Sequence, residues 1–142
     1  MKVCIVYESK YGNGKKCVEY LQDIISRKGH EVEIFSIREI KPKSLPQVDF
    51  YIFSAPTHIG NPPRKMKKFL KRLEIRGKYS LITTYLDPKT KTLEKMEEIL
   101  QTKGMTKVSS IKIKVNGMKG PLEDNYKQKL EEFATKIFDK EI

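Results

Sequence analysis

Hydrophobic and polar positions along this chain follow two periodicities, and each predicts one type of element. Residues 2–7 (KVCIVY), 49–55 (DFYIFSA) and 78–85 (KYSLITTY) are dense apolar runs, which predict parallel strands buried on both faces. Residues 30–37 (HEVEIFSI) and 107–115 (KVSSIKIKV) largely alternate apolar with polar positions, as half-buried strands do. The pattern therefore predicts five strands.

Four further stretches carry apolar residues at helical spacing. The first spans 14–28 and ends before Gly29, a residue that favours a helix end. The second follows Pro62 and Pro63, which suit a helix's first turn. Residues 38–48 predict a proline-containing connection with at most one short helix. The four apolar stripes are Val18, Leu21, Ile24, Ile25; Met66, Phe69, Leu70, Leu73; Leu93, Met96, Ile99, Leu100; and Leu122, Tyr126, Leu130, Phe133, Ile137.

Strands that alternate with helices predict an α/β fold, in which a parallel sheet is covered by helices on both faces. The three dense strands belong in the middle of the sheet, and the two alternating, charged strands belong at its edges. The order 2-1-3-4-5 meets this requirement. We therefore expect a three-layer sandwich around a five-stranded parallel sheet of that order.

Length and composition limit the class of protein. A chain of 142 residues is expected to form one domain, here 1–142. It shows no apolar stretch of ~18 residues and no leader with a cleavage site, so we expect a cytoplasmic protein without a membrane span. Cys4 and Cys17 lie inside a predicted strand and helix, which agrees with a reducing compartment. With only His30 and His58 available, no protein-built metal site is expected.

The loops that follow strands one and three are the expected ligand site. The order 2-1-3-4-5 reverses between these strands, and ligands of open α/β sheets bind beyond the carboxyl ends of strands at such a point. The two loops are ESKYGNG (8–14) and SAPTHIGNPP (54–63), and their composition is the most unusual in the chain.

Residues 8–14 have the composition of an anion-binding loop. Gly12 and Gly14 allow backbone conformations closed to other residues, and the following helix presents unpaired N–H groups. Ser9 adds a hydroxyl, and three neighbouring lysines add positive charge. The loop lacks the nucleotide triphosphatase and dinucleotide patterns. An ordinary strand-to-helix turn has similar residues, so the loop alone leaves both interpretations open.

Taken together, the two loops resemble those of the flavodoxin family. SKYGNG resembles its phosphate-binding loop, whose usual form is [ST]-x-[ST]-G-N-[ST]. PTHIGNPP resembles the flavin-contacting loop, and it is particularly similar to the P-T-x-x-G-N loop of flavodoxin-like NAD(P)H:quinone oxidoreductases. In its order of elements the resemblance covers essentially the whole chain. It implies a flavodoxin-like fold and bound FMN.

The resemblance assigns three loops to FMN. The phosphate would rest on the amides of residues 9–14, and the ring would lie against the loop after strand three. There, backbone groups approach flavin N5 in the family, which draws attention to Gly60. A third loop after strand four would contact the pyrimidine edge. The candidate cofactor-binding residues are Ser9, Lys10, Tyr11, Gly12, Asn13, Gly14, Pro56, Thr57, His58, Ile59, Gly60, Asn61, Tyr85, Leu86 and Asp87.

Two residues depart from the family pattern. Tyr11 replaces a small hydroxyl residue, and Gly14 replaces the last Ser or Thr. Each lost side-chain donor facing a charge is worth ~1.5–3 kcal/mol, so FMN binding is expected to be weakened rather than abolished.

Four residues of these regions have alternative interpretations. His58 either covers the ring or donates a proton, and covering is favoured. Tyr85 either stacks on the ring or packs at the end of its strand. Asp87 precedes Pro88, a pair more typical of a turn than of a site. Cys17 lies close to the apolar face of the first helix and is not expected to be redox-active. No catalytic residue is assigned.

The net charge of +11 has two explanations. It reflects either attraction to nucleic acid, anionic surfaces or acidic partners, or a Lys/Glu-rich composition of thermophilic type. The run RKMKKFLKR (64–72) is most simply a solvated helix face. Because it follows the presumed flavin loop, Arg64, Lys65 and Lys68 are also candidate contacts for an acidic redox protein or an anionic substrate. Nucleic acid is less favoured because no stacking aromatics interleave with these lysines.

The favoured function is that of an FMN-binding electron-transfer protein, as a monomer or dimer. One alternative is an FMN-dependent NAD(P)H:quinone-type oxidoreductase, although no insertion beyond the five-stranded core offers a substrate pocket. Another is a flavin-free flavodoxin-fold module with a basic interaction surface, for which Tyr11 and Gly14 are the best arguments.

Overall fold

The computed structural model describes residues 1–139, and its elements follow the predicted order. Five strands alternate with four helices, and a short 3-10 helix lies at Pro42–Ser44. The strands are β1 (Lys2–Tyr7), β2 (Glu31–Ser36), β3 (Phe50–Pro56), β4 (Lys78–Tyr85) and β5 (Thr106–Lys114). The helices are α1 (Asn13–Arg27), α2 (Arg64–Lys71), α3 (Thr92–Thr102) and α4 (Tyr126–Phe138).

The strands form one parallel sheet in the order β2-β1-β3-β4-β5, which confirms the predicted α/β class and strand order. Its central strands are buried almost throughout, whereas the edge strands β2 and β5 are partly exposed along their length. This difference explains the two hydrophobic patterns, because only a central strand of a covered sheet needs apolar residues on both faces.

Helices cover both faces of the sheet and form two separate cores. Helices α1 and α4 pack on one face, where residues such as Ile5, Ile52 and Ile82 are buried. Helices α2 and α3 pack on the other, over residues such as Phe53 and Leu81. Burial of each large apolar side chain contributes roughly 1.5–3 kcal/mol, so these cores hold the carboxyl ends of the strands in a fixed arrangement. Within the described residues, no helix is both long and apolar enough to span a bilayer.

Three details differ from the sequence prediction. Pro63 occupies the N-cap of α2 instead of its first turn, and the helix ends at Lys71, before the buried Leu73. Leu122 does not belong to α4. It forms an isolated bridge with Val115 because the segment between them folds back, with the Asn116 N–H donating to the Pro121 carbonyl at 2.8 Å.

Candidate functional site

Three loops meet where the strand order reverses, between β1 and β3. They are the β1 loop (8–12), the β3 turn (58–61) and the β4 loop (86–91), and each follows the carboxyl end of its strand. The first is tied to β3 because the Glu8 N–H donates to the Ser54 carbonyl at 2.9 Å. The predicted site residues therefore lie on loops that the topology brings to one edge of the sheet.

The β1 loop is folded around the Ser9 side chain. Its hydroxyl oxygen accepts a hydrogen bond from the Gly12 N–H at 3.1 Å, and Gly12 has a φ of 90°, which glycine adopts without strain. The Ser9 hydroxyl therefore shapes the loop itself, a role the sequence did not indicate.

A row of backbone donors remains available at this loop. Within the described part of the chain, the amides of residues 10, 11, 13, 14 and 15 have no hydrogen-bond acceptor. Three of them belong to the first turn of α1, whose N-terminus lacks a side-chain cap. Unpaired N–H groups at the positive end of a helix dipole favour a bound anion.

A buried carboxylate stands behind these donors. Glu8 is only 3 % exposed, and its Oε1 accepts hydrogen bonds from the Ser9 N–H at 3.1 Å and from Arg38 Nε at 3.0 Å. Burying a carboxylate is costly unless it is paired, and Arg38 supplies that pairing from the loop after β2. Of the predicted phosphate-binding amides at residues 9–14, those of Ser9 and Gly12 thus already have acceptors within the protein.

Gly14 leaves room for a larger side chain. A Cβ built there would lie 3.5 Å from the Glu8 carbonyl oxygen and 3.7 Å from Ser9 Oγ, which are ordinary contacts. Its φ is not positive, so the backbone does not require glycine. The hydroxyl that the family pattern places here is therefore absent without a steric reason.

Asn13 faces a fourth segment of the chain. A Cβ at Gly120 would lie 2.7 Å from Asn13 Oδ1, so the backbone of the loop after β5 approaches this side chain closely. The glycines and proline of that loop indicate turns in the sequence, but not which residue lies beside them.

The β3 turn is closed by hydrogen bonds at both ends. The His58 N–H donates to the Asn61 carbonyl at 2.7 Å, and the Asn61 N–H donates to the His58 carbonyl at 3.0 Å. The two central residues, Ile59 and Gly60, have φ values of 49° and 75°, as in a type I′ turn. A β-branched residue is rare in this conformation, so Ile59 is strained. The Ile59 side chain is fully exposed at the tip.

The same turn is anchored to the beginning of α3. The Lys91 N–H donates to the Gly60 carbonyl at 2.9 Å, and Lys95 Nζ hydrogen-bonds to Asn61 Oδ1. Asn61 Nδ2 also donates to the Ile59 carbonyl at 2.9 Å. The turn is therefore held in its shape by the protein alone.

A cluster of four threonines next to this turn joins the residue after β3 to β4, to the β4 loop and to the first residue of α3. Thr57 Oγ1 lies 3.0 Å from Thr83 Oγ1 and 2.9 Å from the hydroxyls of Thr90 and Thr92. The latter two also hydrogen-bond to each other, and all three partners of Thr57 are buried. The Thr57 hydroxyl thus holds two loops together.

The β4 loop contributes one turn and one exposed apolar residue. The Asp87 carboxylate accepts the Lys89 N–H at 2.9 Å, which confirms the turn expected of Asp87 and Pro88. Leu86 is exposed beside it. Tyr85 lies under Lys112, whose Nζ is 5.5 Å from the ring centroid, so the ring has a protein contact at the end of its strand.

Exposed apolar side chains concentrate at this edge of the sheet. Among residues 1–139, six large hydrophobic side chains are exposed, and four of them lie on loops after strands. These four are Tyr11, Ile59, Leu86 and Met118. Such a concentration marks a contact surface for a ligand or partner. Combined with the free amides, it suits a ligand that has an anionic end and an apolar part.

The cysteines do not belong to this site. Both Cys4 and Cys17 are fully buried, and burial raises the pKa of each thiol to about 12. A thiol that stays protonated is a poor nucleophile and redox group. This agrees with the expectation that Cys17 has no redox role.

Comparison with known proteins identifies relatives of the chain. Residues 4–117 match the family model described as a flavodoxin domain. A flavodoxin of Clostridium saccharobutylicum is 30% identical over 71 residues, a segment that covers 49% of this chain and 44% of the relative. The chain thus matches less than half the length of that relative.

The fold is shared with several solved structures. Oxidised flavodoxin 1 of Bacillus cereus superimposes with a TM-score of 0.82 at 20% identity, with all of both chains covered. Flavodoxin 2 of the same organism gives a TM-score of 0.84 at 20% identity, covering 98% of this chain and 99% of the other. A rubredoxin oxygen:oxidoreductase of Desulfovibrio gigas gives 0.73 at 18% identity, covering 96% of this chain but 35% of the other.

Proposed function

The chain belongs to the flavodoxin family, and from this premise we propose that it binds FMN and transfers electrons. The observation that carries the proposal is the row of free amides at residues 10, 11 and 13–15, beside a turn and loop that expose apolar side chains. A phosphate monoester on a flat tricyclic ring combines the two properties that this edge of the sheet favours.

The residues present fit the cofactor. The phosphate would accept hydrogen bonds from the free amides of the β1 loop and the first turn of α1. The exposed side chains of Tyr11, Ile59 and Leu86 would lie beside the ring and exclude water from it. When bound, FMN supplies the redox chemistry, and the protein supplies its position and surroundings.

Two residues of the chain also limit the affinity for FMN. Gly14 offers an amide but no hydroxyl, and the carboxylate of Glu8 places a negative charge behind the phosphate site. Arg38 offsets that charge through its ion pair. We therefore expect binding weaker than a loop with a Ser or Thr at position 14 would provide.

The proposal is tested by titrating the purified protein with FMN, following flavin fluorescence, with riboflavin as the matched ligand that lacks phosphate. Because the free amides are the main donors, FMN should bind at low micromolar concentration or better, and riboflavin at least tenfold more weakly. No binding of FMN to the folded protein would overturn the proposal in favour of a flavin-free module. Equal affinities would show that the amides do not hold the phosphate.

An enzymatic role is the second candidate. It is favoured by the similarity of this fold to about a third of the Desulfovibrio gigas oxidoreductase, in which the matching region is part of a larger redox protein. Turnover of NADH or NADPH with a quinone by the FMN-loaded protein would support a reductase. Reduction only by an added electron-transfer protein would support a carrier.

For the carrier, we propose an acidic redox protein as partner, docking near Arg64, Lys65 and Lys68. These residues are exposed on the first turns of α2, which begins three residues after Asn61. Opposite charge accelerates such an encounter and salt slows it. Electron transfer to an acidic partner should therefore slow as ionic strength rises.

A further inference from the structure

A groove of about 540 Å³ lies between α2 and the connection that follows β2. We call it the basic groove. It is lined by Ile37, Arg38, Ile40, Lys41, Pro42, Lys65, Lys68, Phe69 and Arg72. Two of the three cations assigned above to partner docking, Lys65 and Lys68, belong to it, whereas Arg64 does not.

The charge of the basic groove has a single sign. Of the nine lining residues in the described part of the chain, five are cationic and none is acidic. They come from two separate elements, so the positive charge faces the groove from both sides. Within residues 1–139, Arg38 forms an ion pair with Glu8, while the other four make none. Unpaired cations that converge on one concavity favour an anionic occupant.

The floor of the groove is apolar. Ile37 and Ile40 are half-buried there, and Phe69 is buried beneath them. A purely ionic ligand would leave this floor in contact with water. An occupant that combines carboxylates with an aliphatic side chain would cover it and gain hydrophobic stabilisation.

We propose that the basic groove docks an acidic protein segment whose carboxylates flank an aliphatic residue. The proposal rests on the proposed function in taking this segment to belong to the electron-transfer partner. The groove flanks the candidate cofactor site, since α2 forms one wall and begins just beyond the β3 turn. A partner held there stands beside the exposed edge of the sheet. Single-stranded nucleic acid fits less well because the only aromatic lining residue, Phe69, is 5 % exposed and not free to stack.

Synthetic peptides test the chemistry of the occupant directly. The probe is the fluorescent, blocked peptide EELLEE, and the matched control is EESSEE, which has the same charge without the aliphatic residues. Binding is followed by anisotropy with and without FMN. The leucine peptide should bind at least fivefold more tightly. Equal binding of the two peptides would overturn the proposal, as would preferential binding of a six-nucleotide oligouridylate.

Charge reversal locates the site. The groove variant is Lys65→Glu/Lys68→Glu. The control variant, Lys2→Glu/Lys78→Glu, changes the net charge by the same amount at exposed residues that begin β1 and β4, at the end of the sheet away from the candidate site. The groove variant should lose at least tenfold in affinity for EELLEE, and the control variant less than threefold. Equal losses would show general attraction to a basic protein and would overturn the proposal.

A third variant tests the floor, and the cofactor provides the remaining control. Ile40→Ser should lower the affinity for EELLEE severalfold while leaving that for EESSEE unchanged, with thermal unfolding confirming that the variant is folded. FMN affinity should change by less than threefold in all three variants. If the unmodified protein fails to bind FMN but still prefers EELLEE in the groove, the peptide-docking proposal is supported and the proposed function is wrong. FMN binding without this preference for EELLEE would overturn the docking proposal and leave the proposed function in place.

Discussion

The β1 loop and the β3 turn lie at the same edge of the sheet, but they are stabilised in opposite ways. Among residues 1–139, the β1 loop and the adjoining first turn of α1 leave five amides without an acceptor. The β3 turn is instead closed by reciprocal hydrogen bonds and anchored through the Gly60 carbonyl. The first region keeps donors that a ligand could use, and the hydrogen bonds of the second are made within the protein. We infer that the affinity for FMN is set mainly by the β1 loop, and that the β3 turn provides a preformed wall of the cofactor site.

Strain is distributed differently as well. In the β1 loop the positive φ falls on Gly12, where it has little cost, whereas in the β3 turn one of the two positive φ values falls on Ile59. Residues held in such conformations occur preferentially at functional sites, where the surrounding structure maintains them. Substitutions in and beside the two regions test this contrast.

Replacing Gly12 with valine should abolish most FMN binding. The backbone there has a φ of 90°, which a β-branched residue resists at a cost of roughly 1–3 kcal/mol, so the loop would change shape and its amides would diverge. FMN affinity should fall by about 10- to 100-fold. Gly29→Val is the matched control, because Gly29 has a φ of 91°, equally open surroundings and no part in the site. Equal FMN affinity of the two variants would show that the phosphate is held elsewhere.

Replacing Gly14 with serine should strengthen binding. The Cβ is accommodated, and one hydroxyl facing a phosphate contributes roughly 1.5–3 kcal/mol, which corresponds to about tenfold in affinity or more. Gly14→Ala adds the same Cβ without the donor. The gain should appear in FMN titrations of the serine variant and not of the alanine variant, and riboflavin affinity should stay constant. A gain with alanine would attribute the effect to helix stability.

Replacing Thr57 with valine should loosen the contact between β3 and the β4 loop. The change keeps the shape but removes the hydrogen bonds from Thr57 to Thr83, Thr90 and Thr92. Because each of these three hydroxyls keeps another partner, the unfolding free energy should fall by about 1 kcal/mol. FMN affinity should fall severalfold. Denaturant unfolding measures the first effect, with Thr135→Val on the exposed face of α4 as control. An unchanged stability would show that the threonine cluster does not hold the loops.

Replacing Ile59 with asparagine should stabilise the protein without FMN. Asparagine tolerates a left-handed backbone, so removing the β-branched residue should add about 1 kcal/mol to the unfolding free energy. Leu86→Asn makes a similar change of polarity at an exposed residue without a positive φ, and it should give no gain. A gain in both variants would mean that replacing an exposed apolar side chain, and not relieving backbone strain, accounts for the added stability.

The sequence predicted the fold well because hydrophobic periodicity reports directly on burial. The dense run at 78–85 and the alternating run at 107–115 differ because one strand is central and the other is at an edge. The prediction that Leu122 belongs to the last helix was wrong. Its spacing suits α4, but an isolated bridge to Val115 determines its position.

The location of the candidate site was also predictable, since the topology places the loops after β1 and β3 together. Its internal contacts were not. The pairing of Glu8 with Arg38 joins residues 30 positions apart, and the threonine cluster joins side chains from three segments. Single polar contacts of this kind leave no periodic pattern, so only three-dimensional coordinates identify the partners. The roles of individual residues toward FMN stay predictions.

The Glu8–Arg38 ion pair connects the β1 loop to the basic groove, two regions that have no residue in common. Arg38 lines the basic groove, and Glu8 holds the Ser9 amide of the β1 loop. An anion that drew Arg38 away from Glu8 would alter the charge balance behind the free amides. Thermodynamic reciprocity requires that a ligand of those amides change the groove's affinity by the same factor. Partner occupancy and cofactor retention would then share one coupling free energy, so a mutation of this ion pair would change both together.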